Sequence, residues 1–292
     1  MSNLPYLVPF YGLASALLFA LSNHFSHMGL ERSDARTGTI VSIATSAIAY
    51  WLFAPLFLKG WYWLTAAALL FAAVGMIRPV LSTMLATSSI KLMGPTLTSS
   101  LTAVTPIFGA IFAILILGER MSTPIAVGTA AVVAGAMVAA WNPKGLKRTW
   151  PLWAIALPLG ASLIRATGHI ATKYGLMEVE SPSFAVLVGN TVSLGAAVLF
   201  FSQGGRPLLG GGSGHLWFFA AGICNALSLQ FLNNALAVGD VVAVVPVVSA
   251  TPVFTLLLGV LFFGRESITW RTVATIALIV PGVILVALHT AQ

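Results

Sequence analysis

The sequence predicts an all-α polytopic membrane protein, with ten transmembrane helices arranged as two inverted five-helix repeats around a central cavity. The chain is 58% apolar and only 7% charged, whereas soluble domains carry about 25% charged residues. Its apolar runs are continuous, as in "VATIALIVPGVILVAL", and the strands of a membrane barrel would instead alternate polar and apolar residues. The stretch "TPIFGAIFAILILGER" at 105–120 returns as "TPVFTLLLGVLFFGRE" at 251–266.

Ten apolar segments are long enough to cross a bilayer as helices, which takes about 20 residues each. They lie at 5–29, 36–58, 62–89, 95–117, 122–141, 150–176, 183–202, 214–237, 241–263 and 268–288. The connectors are short and leave no room for a soluble domain. The first segment has no basic leader and no cleavage site, so we interpret it as a retained span.

The two halves of the chain match at a constant offset of 146 residues. The offset pairs Gly29 with Gly175, Leu30 with Leu176, Thr45 with Thr191 and Ser82 with Ser228. We therefore divide the chain into two five-helix repeats, 1–145 and 146–292. Because five is odd, the second repeat enters the membrane from the opposite side, a plan common among secondary transporters, whose sites lie between the repeats near the midplane. Chance similarity among apolar helices is the alternative.

Polar residues inside spans are costly and mark candidate functional positions. The first and sixth spans each carry a polar stripe at helical spacing, and the offset superposes the two stripes. The stripes are Ser15, Ser22, Asn23, Ser26 and His27 in the first span, and Ser162, Arg165, His169, Thr172 and Lys173 in the sixth. We expect both helices to face one water-filled cavity, although small residues also serve to pack helices closely.

Two further spans carry unusual residues. Arg78 lies in the middle of the third span, and Pro79 after it predicts a kink or break there. The eighth span is rich in side-chain amides, and aromatic residues of the second span are candidates for the cavity wall. The predicted substrate-binding residues are Arg78, Arg165, His169, Asn23, His27, Asn225, Ser228, Gln230, Asn233, Tyr50 and Trp51.

The seven acidic residues all lie near predicted span ends. An exporter of cationic drugs driven by protons generally needs a carboxylate within the membrane. This chain offers Arg78, Arg165 and His169 instead, and these would favour a carboxylate or phosphate on the substrate. Histidine titrates near neutrality, so both proton coupling and facilitated diffusion stay open.

The remaining composition excludes several classes of function. The 14 Lys and Arg are scattered singly rather than clustered, which argues against a nucleic-acid partner. The sequence has no metal-ligand spacing, no phosphate-binding loop for ATP and no pair of residues suited to catalysis. We expect no enzymatic activity, no cofactor and no metal. The expected partners are the lipid bilayer and a small metabolite, and we expect the chain to act as a monomer.

The "TP-x-F…LG" segments that close the two halves resemble the drug/metabolite transporter superfamily, in its ten-helix EamA-type branch. The motif residues are Thr105, Pro106, Phe108, Gly118 and Glu119, then Thr251, Pro252, Phe254, Gly264 and Glu266. The segment "NNALAVGDV" at 233–241 fits as well, and the resemblance covers essentially the whole chain. It departs at Gly264-Arg265-Glu266, where the family has Glu directly after Gly, so we interpret these acids as loop anchors.

Within the branch, the chain most resembles the YddG-type bacterial amino-acid exporters. The resemblance implies a basket of ten helices with a central cavity, alternating access, and export of amino acids and related metabolites across the bacterial inner membrane. Two alternatives stay open. One is transport of phosphorylated or nucleotide-linked metabolites, which the cations suit equally, and the other is a receptor or assembly subunit that transports nothing.

Basic residues predict the orientation of the chain. Nine of them fall in the connectors opposite the termini and three fall on the side of the termini. The excess of Lys and Arg marks the cytoplasmic side, which predicts that both termini lie outside. The family resemblance implies the reverse, with both termini in the cytoplasm.

Overall fold

The computed structural model describes residues 6–93, 95–141, 150–202, 209–262 and 269–290. These residues form α-helices joined by short 3-10 and π-helical turns, and no β-strand occurs among them. The helices are α1 (Leu7–Leu30), α2 (Ala35–Phe57), α3 (Ala66–Met93), α4 (Pro95–Thr102), α5 (Thr105–Phe112), α6 (Thr123–Ala140), α7 (Ala156–Glu178), α8 (Pro182–Ser202), α9 (His215–Val238), α10 (Val241–Val248), α11 (Thr251–Leu261) and α12 (Trp270–Thr290).

These helices make ten membrane spans. The fourth span consists of α4 and α5, the ninth consists of α10 and α11, and each other span is one helix. Nine stretches among the described residues are long and apolar enough to cross a bilayer, and Ala66–Ile77 of α3 is a shorter apolar stretch. The all-helical, ten-span prediction is confirmed.

The two repeats interlock through their first and third helices. Helix α1 packs along α9, and its counterpart α7 packs along α3. Helices α2 and α8 contact each other, and each also contacts the third helix of the opposite repeat. Helices α6 and α12, the last of each repeat, pack together. Each of these contacts thus has a symmetry mate, as an inverted repeat requires.

Paired hydrogen bonds show the same symmetry at single residues. Ser46 Oγ donates to the carbonyl oxygen of Gly222 at 2.8 Å, and Ser193 Oγ donates to that of Gly75 at 2.7 Å. These pairs are related by an offset of 147 residues, one more than the constant offset predicted from sequence. The second repeat therefore has one extra residue before its second helix, and the predicted pairing of second and third spans is shifted by one position.

Two glycines let the interlocked helices approach closely. A Cβ at Gly29 of α1 would lie 2.4 Å from the ring of Phe218. A Cβ at Gly175 of α7 would lie 2.5 Å from the ring of Phe71. Each phenylalanine ring fills the space that a larger residue would occupy, so the pair Gly29 and Gly175 predicted from sequence marks equivalent helix contacts.

The fourth and ninth spans are broken near their middle. The fourth resumes as a helix at Thr105, whose hydroxyl donates to the carbonyl oxygen of Thr102 at 2.7 Å. The ninth resumes at Thr251, whose hydroxyl donates to that of Val248 at 2.9 Å. The proline after each threonine lacks an N–H, so the helical hydrogen-bond ladder cannot continue across it, although proline suits a first turn. The repeated Thr-Pro motif therefore marks these breaks.

The third span is not broken. Helix α3 continues through Pro79, so the prediction of a break there is wrong. Proline is tolerated inside membrane helices because neighbouring helices and side chains satisfy the backbone groups that it frees. The side chains of residues 78–80 lie outside the described part of the structure, and with them the side chain of Arg78.

The main apolar core lies on the side of the membrane where α1 begins and α12 ends, here called the terminus side. Its largest fully buried side chains include Phe71, Phe184, Leu187 and Leu236. The first turns of α3, α8 and α10 and the last turns of α7 and α9 all contribute to it. The opposite face, here called the loop side, carries the ends of α1, α6 and α8.

Candidate functional site

A cavity of about 950 Å³ lies between the two repeats, within the size range of small-molecule sites. On the loop side its wall reaches Ala139 and Ala140 in the last turn of α6. Towards the terminus side the wall ends at Phe71 and Leu232, which belong to the packed core. Within the described residues, the cavity therefore opens to the loop side and is closed on the terminus side.

Six of the predicted binding residues line this cavity. They are Asn23, Arg165, His169, Asn225, Ser228 and Asn233. They come from α1, α7 and α9. The two predicted polar stripes face this cavity in part, through Ser15, Asn23, Arg165, His169 and Thr172. The side chain of Arg78, predicted to be the third cation, lies outside the described part of the structure.

Arg165 is the guanidinium of the described cavity wall. It is partly buried on α7, and its Nε donates to Ser82 Oγ of α3 at 3.0 Å. The described residues accept no other hydrogen bond from this side chain. A guanidinium has five N–H donors in a planar fork that matches a carboxylate, so the other donors are available to an anionic group in the cavity.

His169 lies one helical turn beyond Arg165, is 7% exposed, and contributes to the same wall. Its counterpart in the first repeat is Asn23 of α1, which is exposed to the cavity. The symmetric positions thus carry an imidazole on one wall and an amide on the other. The wall formed by α7 is the more cationic of the two.

Helix α9 places Asn225 and Asn233 on the wall, with Ser228 between them. Ser228 Oγ donates to the carbonyl oxygen of Ser15 at 2.9 Å and lies 3.1 Å from Ser15 Oγ. Ser228 therefore fastens α9 to α1 at the cavity. The amides of Asn225 and Asn233 supply hydrogen-bond donors and acceptors on either side of this contact along α9.

The other predicted binding residues lie away from the cavity wall. Tyr50 OH donates to Gln230 Oε1 at 2.9 Å, in the contact between α2 and α9. Trp51 is 46% exposed on the outer surface and its indole N–H donates to Thr191. The imidazole of His27 is largely exposed, 3.5 Å from Glu31. The structure does not bring these four side chains into one site with Arg165.

Asn190 of α8 is a cavity residue that sequence reasoning did not select. It is 7% exposed, it lines the cavity, and its Nδ2 has no hydrogen-bond partner among the described residues. An unsatisfied buried amide costs about 1–3 kcal/mol, so this group suits a ligand. The rule that polar residues inside spans are functional candidates would have found it.

The broken helices also reach the cavity, through Thr102, Thr105, Ser249 and Thr251. The N-terminal ends of α5 and α11 therefore lie at the wall, and helix N-terminal ends favour anions. None of the described residues that line the cavity carries a carboxylate. The site thus combines cationic and dipolar donors without an opposing negative charge.

A chain of known crystal structure superposes on this one with a TM-score of 0.81, over 99% of this chain and 98% of its own, at 16% sequence identity. At this identity the likeness shows the fold alone. A search of curated proteins finds no match to this sequence.

The profile of the EamA-like transporter family matches the chain twice, at residues 7–141 and at residues 152–288. Each match covers one set of five spans. The predicted boundary at 145–146 falls on residues outside the described part of the structure and stays a prediction. Because the family profile covers nearly the whole chain, this protein belongs to the EamA-like transporter family, a family of multi-pass membrane transporters of small metabolites.

Proposed function

We propose that this protein is a secondary transporter that exports amino acids and related metabolites across the bacterial inner membrane by alternating access. The observation that carries the proposal is the cavity between the repeats, open to one side only, with Arg165 and His169 on its wall. Secondary transporters with inverted repeats bind their substrates in such a place.

The wall suits a zwitterionic substrate. The carboxylate of an amino acid would bind the guanidinium of Arg165, since this pairing gives charge-assisted, bidentate hydrogen bonds. The amides of Asn23, Asn190, Asn225 and Asn233 offer acceptors for the ammonium group and mixed partners for a polar side chain. The volume of about 950 Å³ leaves room for substrates of different sizes.

Export is supported by the charge distribution together with the open side. Basic residues are in excess on the loop side, which predicts that this side faces the cytoplasm. The cavity opens to the loop side, so a cytoplasmic substrate would have access to Arg165. Binding would precede closure on the loop side and opening on the terminus side.

A phosphorylated metabolite is the second candidate substrate. Arginine recognises phosphate with the same planar fork, and the N-terminal ends of α5 and α11 suit phosphate as well as carboxylate. Nothing on the described wall repels a second negative charge.

Uptake of labelled amino acids into proteoliposomes, with and without a pH gradient, tests the proposal. Uptake above that of empty liposomes is the expected result, and its dependence on the gradient separates proton coupling from facilitated diffusion. Inhibition by unlabelled phosphate esters but not by amino acids would select the second substrate class. Absence of uptake and of competition with both classes would contradict the proposal.

A further inference from the structure

Two carboxylates join the repeats on the terminus side. Glu119 follows the fourth span and accepts hydrogen bonds from the N–H groups of Val241 and Val242, at 2.9 and 3.0 Å, where α10 begins. The interpretation of this acid as a loop anchor is confirmed. Its counterpart Glu266 lies outside the described part of the structure.

Glu178, the last residue of α7, makes the second link. Its carboxylate accepts hydrogen bonds from the N–H groups of Ala66 and Ala67 at 3.2 and 2.7 Å, where α3 begins. The first N–H groups of a helix have no partner within the helix, and a carboxylate there is favourable. Each acid thus caps a helix of the opposite repeat, next to the core that closes the terminus side.

Helix α7 also holds the end of α9. Lys173 Nζ donates to the carbonyl oxygens of Leu236, in the last turn of α9, and of Gly239, directly after it, at 2.8 and 2.9 Å. A cation at the C-terminal end of a helix is favourable for the same reason as an anion at its start. One end of α7 therefore fastens the start of α3 and the end of α9 while the cavity is open to the loop side.

The inverted repeat places a comparable pair of groups on the loop side, at the end of α1. His27 lies at the position of Lys173, and an acid follows the glycine in both helices, two residues on at Glu31 and three residues on at Glu178. In this structure the side chains of His27 and Glu31 lie 3.5 Å apart and are largely exposed, at 64% and 49%. They interact with each other along α1.

The helix that Glu31 would cap is already its neighbour. The counterpart of α3 is α9, whose N-cap residue is Gly214. A Cβ at Gly214 would lie 2.6 Å from the carbonyl oxygen of Gly29, so the first turn of α9 is next to the last turn of α1. A change of side-chain rotamer and a small approach of the helices would bring the carboxylate to the N–H groups of this turn.

We propose that the acidic caps exchange between the two faces, and that this exchange controls which side of the cavity is open. With the loop side open, Glu119 and Glu178 hold α10 and α3 and keep the terminus side closed. With the terminus side open, these caps are released, and Glu31 leaves His27 to cap the first turn of α9. The inference rests on the alternating access of the proposed function and assigns residues to its two states.

Thiol labelling from each side of the membrane tests the exchange. Because Cys224 is the one cysteine of the chain, Cys224→Ala gives a background without thiols. Ala235→Cys reports on the buried terminus-side core, and Ala139→Cys reports on the loop-side wall of the cavity. Both are read as labelling rates with a membrane-impermeant maleimide in the substrate-free, full-length protein.

Glu119→Gln with Glu178→Gln should raise labelling of the thiol in the core and lower labelling of the thiol at the loop side. Glu31→Gln should do the opposite. The expected changes are about threefold to tenfold, the shift in population that one or two lost hydrogen bonds cause. The exposed Glu180→Gln, in the connector after α7, is the matched control and should change neither rate. Glu119→Asp, which shortens the side chain, should act as Glu119→Gln does.

The proposed exchange would be overturned if Glu31→Gln left both labelling rates unchanged. It would also be overturned if Glu31→Gln shifted them in the same direction as Glu119→Gln. This readout needs no substrate, so it is distinguishable from a failure of the proposed function. If proteoliposomes took up neither substrate class while the labelling rates shifted as expected, the proposed substrates would be wrong and the proposed exchange of caps would be supported.

Discussion

At the scale of single residues, Arg165 is a charged side chain within a span that lines the cavity. Ser82 holds its Nε at 3.0 Å and aligns the guanidinium for a ligand. A charged residue within a span is expensive, so a position with one orienting contact and an open cavity in front of it indicates a binding role.

Arg165→Ala should lower uptake by about tenfold or more, because a bidentate, charge-assisted contact with the substrate is lost. The measurement is uptake into proteoliposomes at matched protein amounts, with folding checked by thermal unfolding in detergent. Ser82→Ala is the control that removes only the orienting hydrogen bond, and a smaller rise in KM is expected for it. Normal uptake by Arg165→Ala would exclude this residue from the site.

Asn190→Leu separates a ligand contact from a structural one. The leucine removes an amide nitrogen that has no partner among the described residues, so Tm should stay the same or rise, because the unsatisfied group costs about 1–3 kcal/mol. Uptake should fall, since the substrate loses a donor. Asn234→Leu is the matched control away from the cavity wall, where the amide accepts a hydrogen bond from Gln230; it should lower Tm and leave the substrate affinity unchanged. A fall in Tm for Asn190→Leu with normal uptake would contradict the assignment.

At the scale of helices, the two Thr-Pro breaks bring irregular backbone to the cavity wall, through Thr102, Thr105, Ser249 and Thr251. Ser162 of α7 donates to the carbonyl oxygen of Thr102 at 3.2 Å, which is the carbonyl that the missing N–H of Pro106 leaves without its helical partner. Irregular backbone at membrane depth persists only where it lines a cavity or is buried in protein. The breaks therefore belong to the site.

Pro252→Ala should restore the N–H that the helical ladder needs and so favour a continuous ninth span. The N-terminal end of α11 would then no longer lie at the cavity wall. Uptake should fall by several-fold while Tm does not decrease. Uptake and thermal unfolding of Pro252→Ala are to be compared with those of Pro281→Ala, which alters a proline inside α12 away from the cavity. Equal uptake in both variants would show that the break at Thr251 has no part in transport.

The sequence predicts the spans well because bilayer thickness and hydropathy decide them together. It also predicts the polar stripes of α1 and α7, since helical periodicity is a local property. Periodicity does not tell which helix covers a given face, however. The sequence therefore could not distinguish Tyr50 and Gln230, which bond to each other in a helix contact, from Asn225, which lines the cavity. The single extra residue before Ser193 escaped for a related reason: a constant offset aligns apolar helices almost as well one position away.

At the scale of the whole molecule, the terminus side and the loop side are built from equivalent helices of the two repeats, but one side is closed and the other is open. Helices α1 and α7 each contact the third helix of the other repeat, so neither repeat completes its packing alone. The terminus side is packed and capped, and the cavity opens to the loop side. Which face meets the cytoplasm therefore decides what the state in this structure means for transport.

The excess of basic residues on the loop side predicts that both termini lie outside. A reporter that is active only outside the cytoplasm, fused after Gln292, should be active, and a reporter that needs the cytoplasm should be inactive there. The same pair of reporters, inserted in the glycine-rich connector at 209–214, should give the reverse result and serves as the internal control. The cavity would then face the cytoplasm, ready to receive a substrate for export. A cytoplasmic terminus would overturn the charge prediction, and the open cavity would instead be the state that has just released its substrate outside.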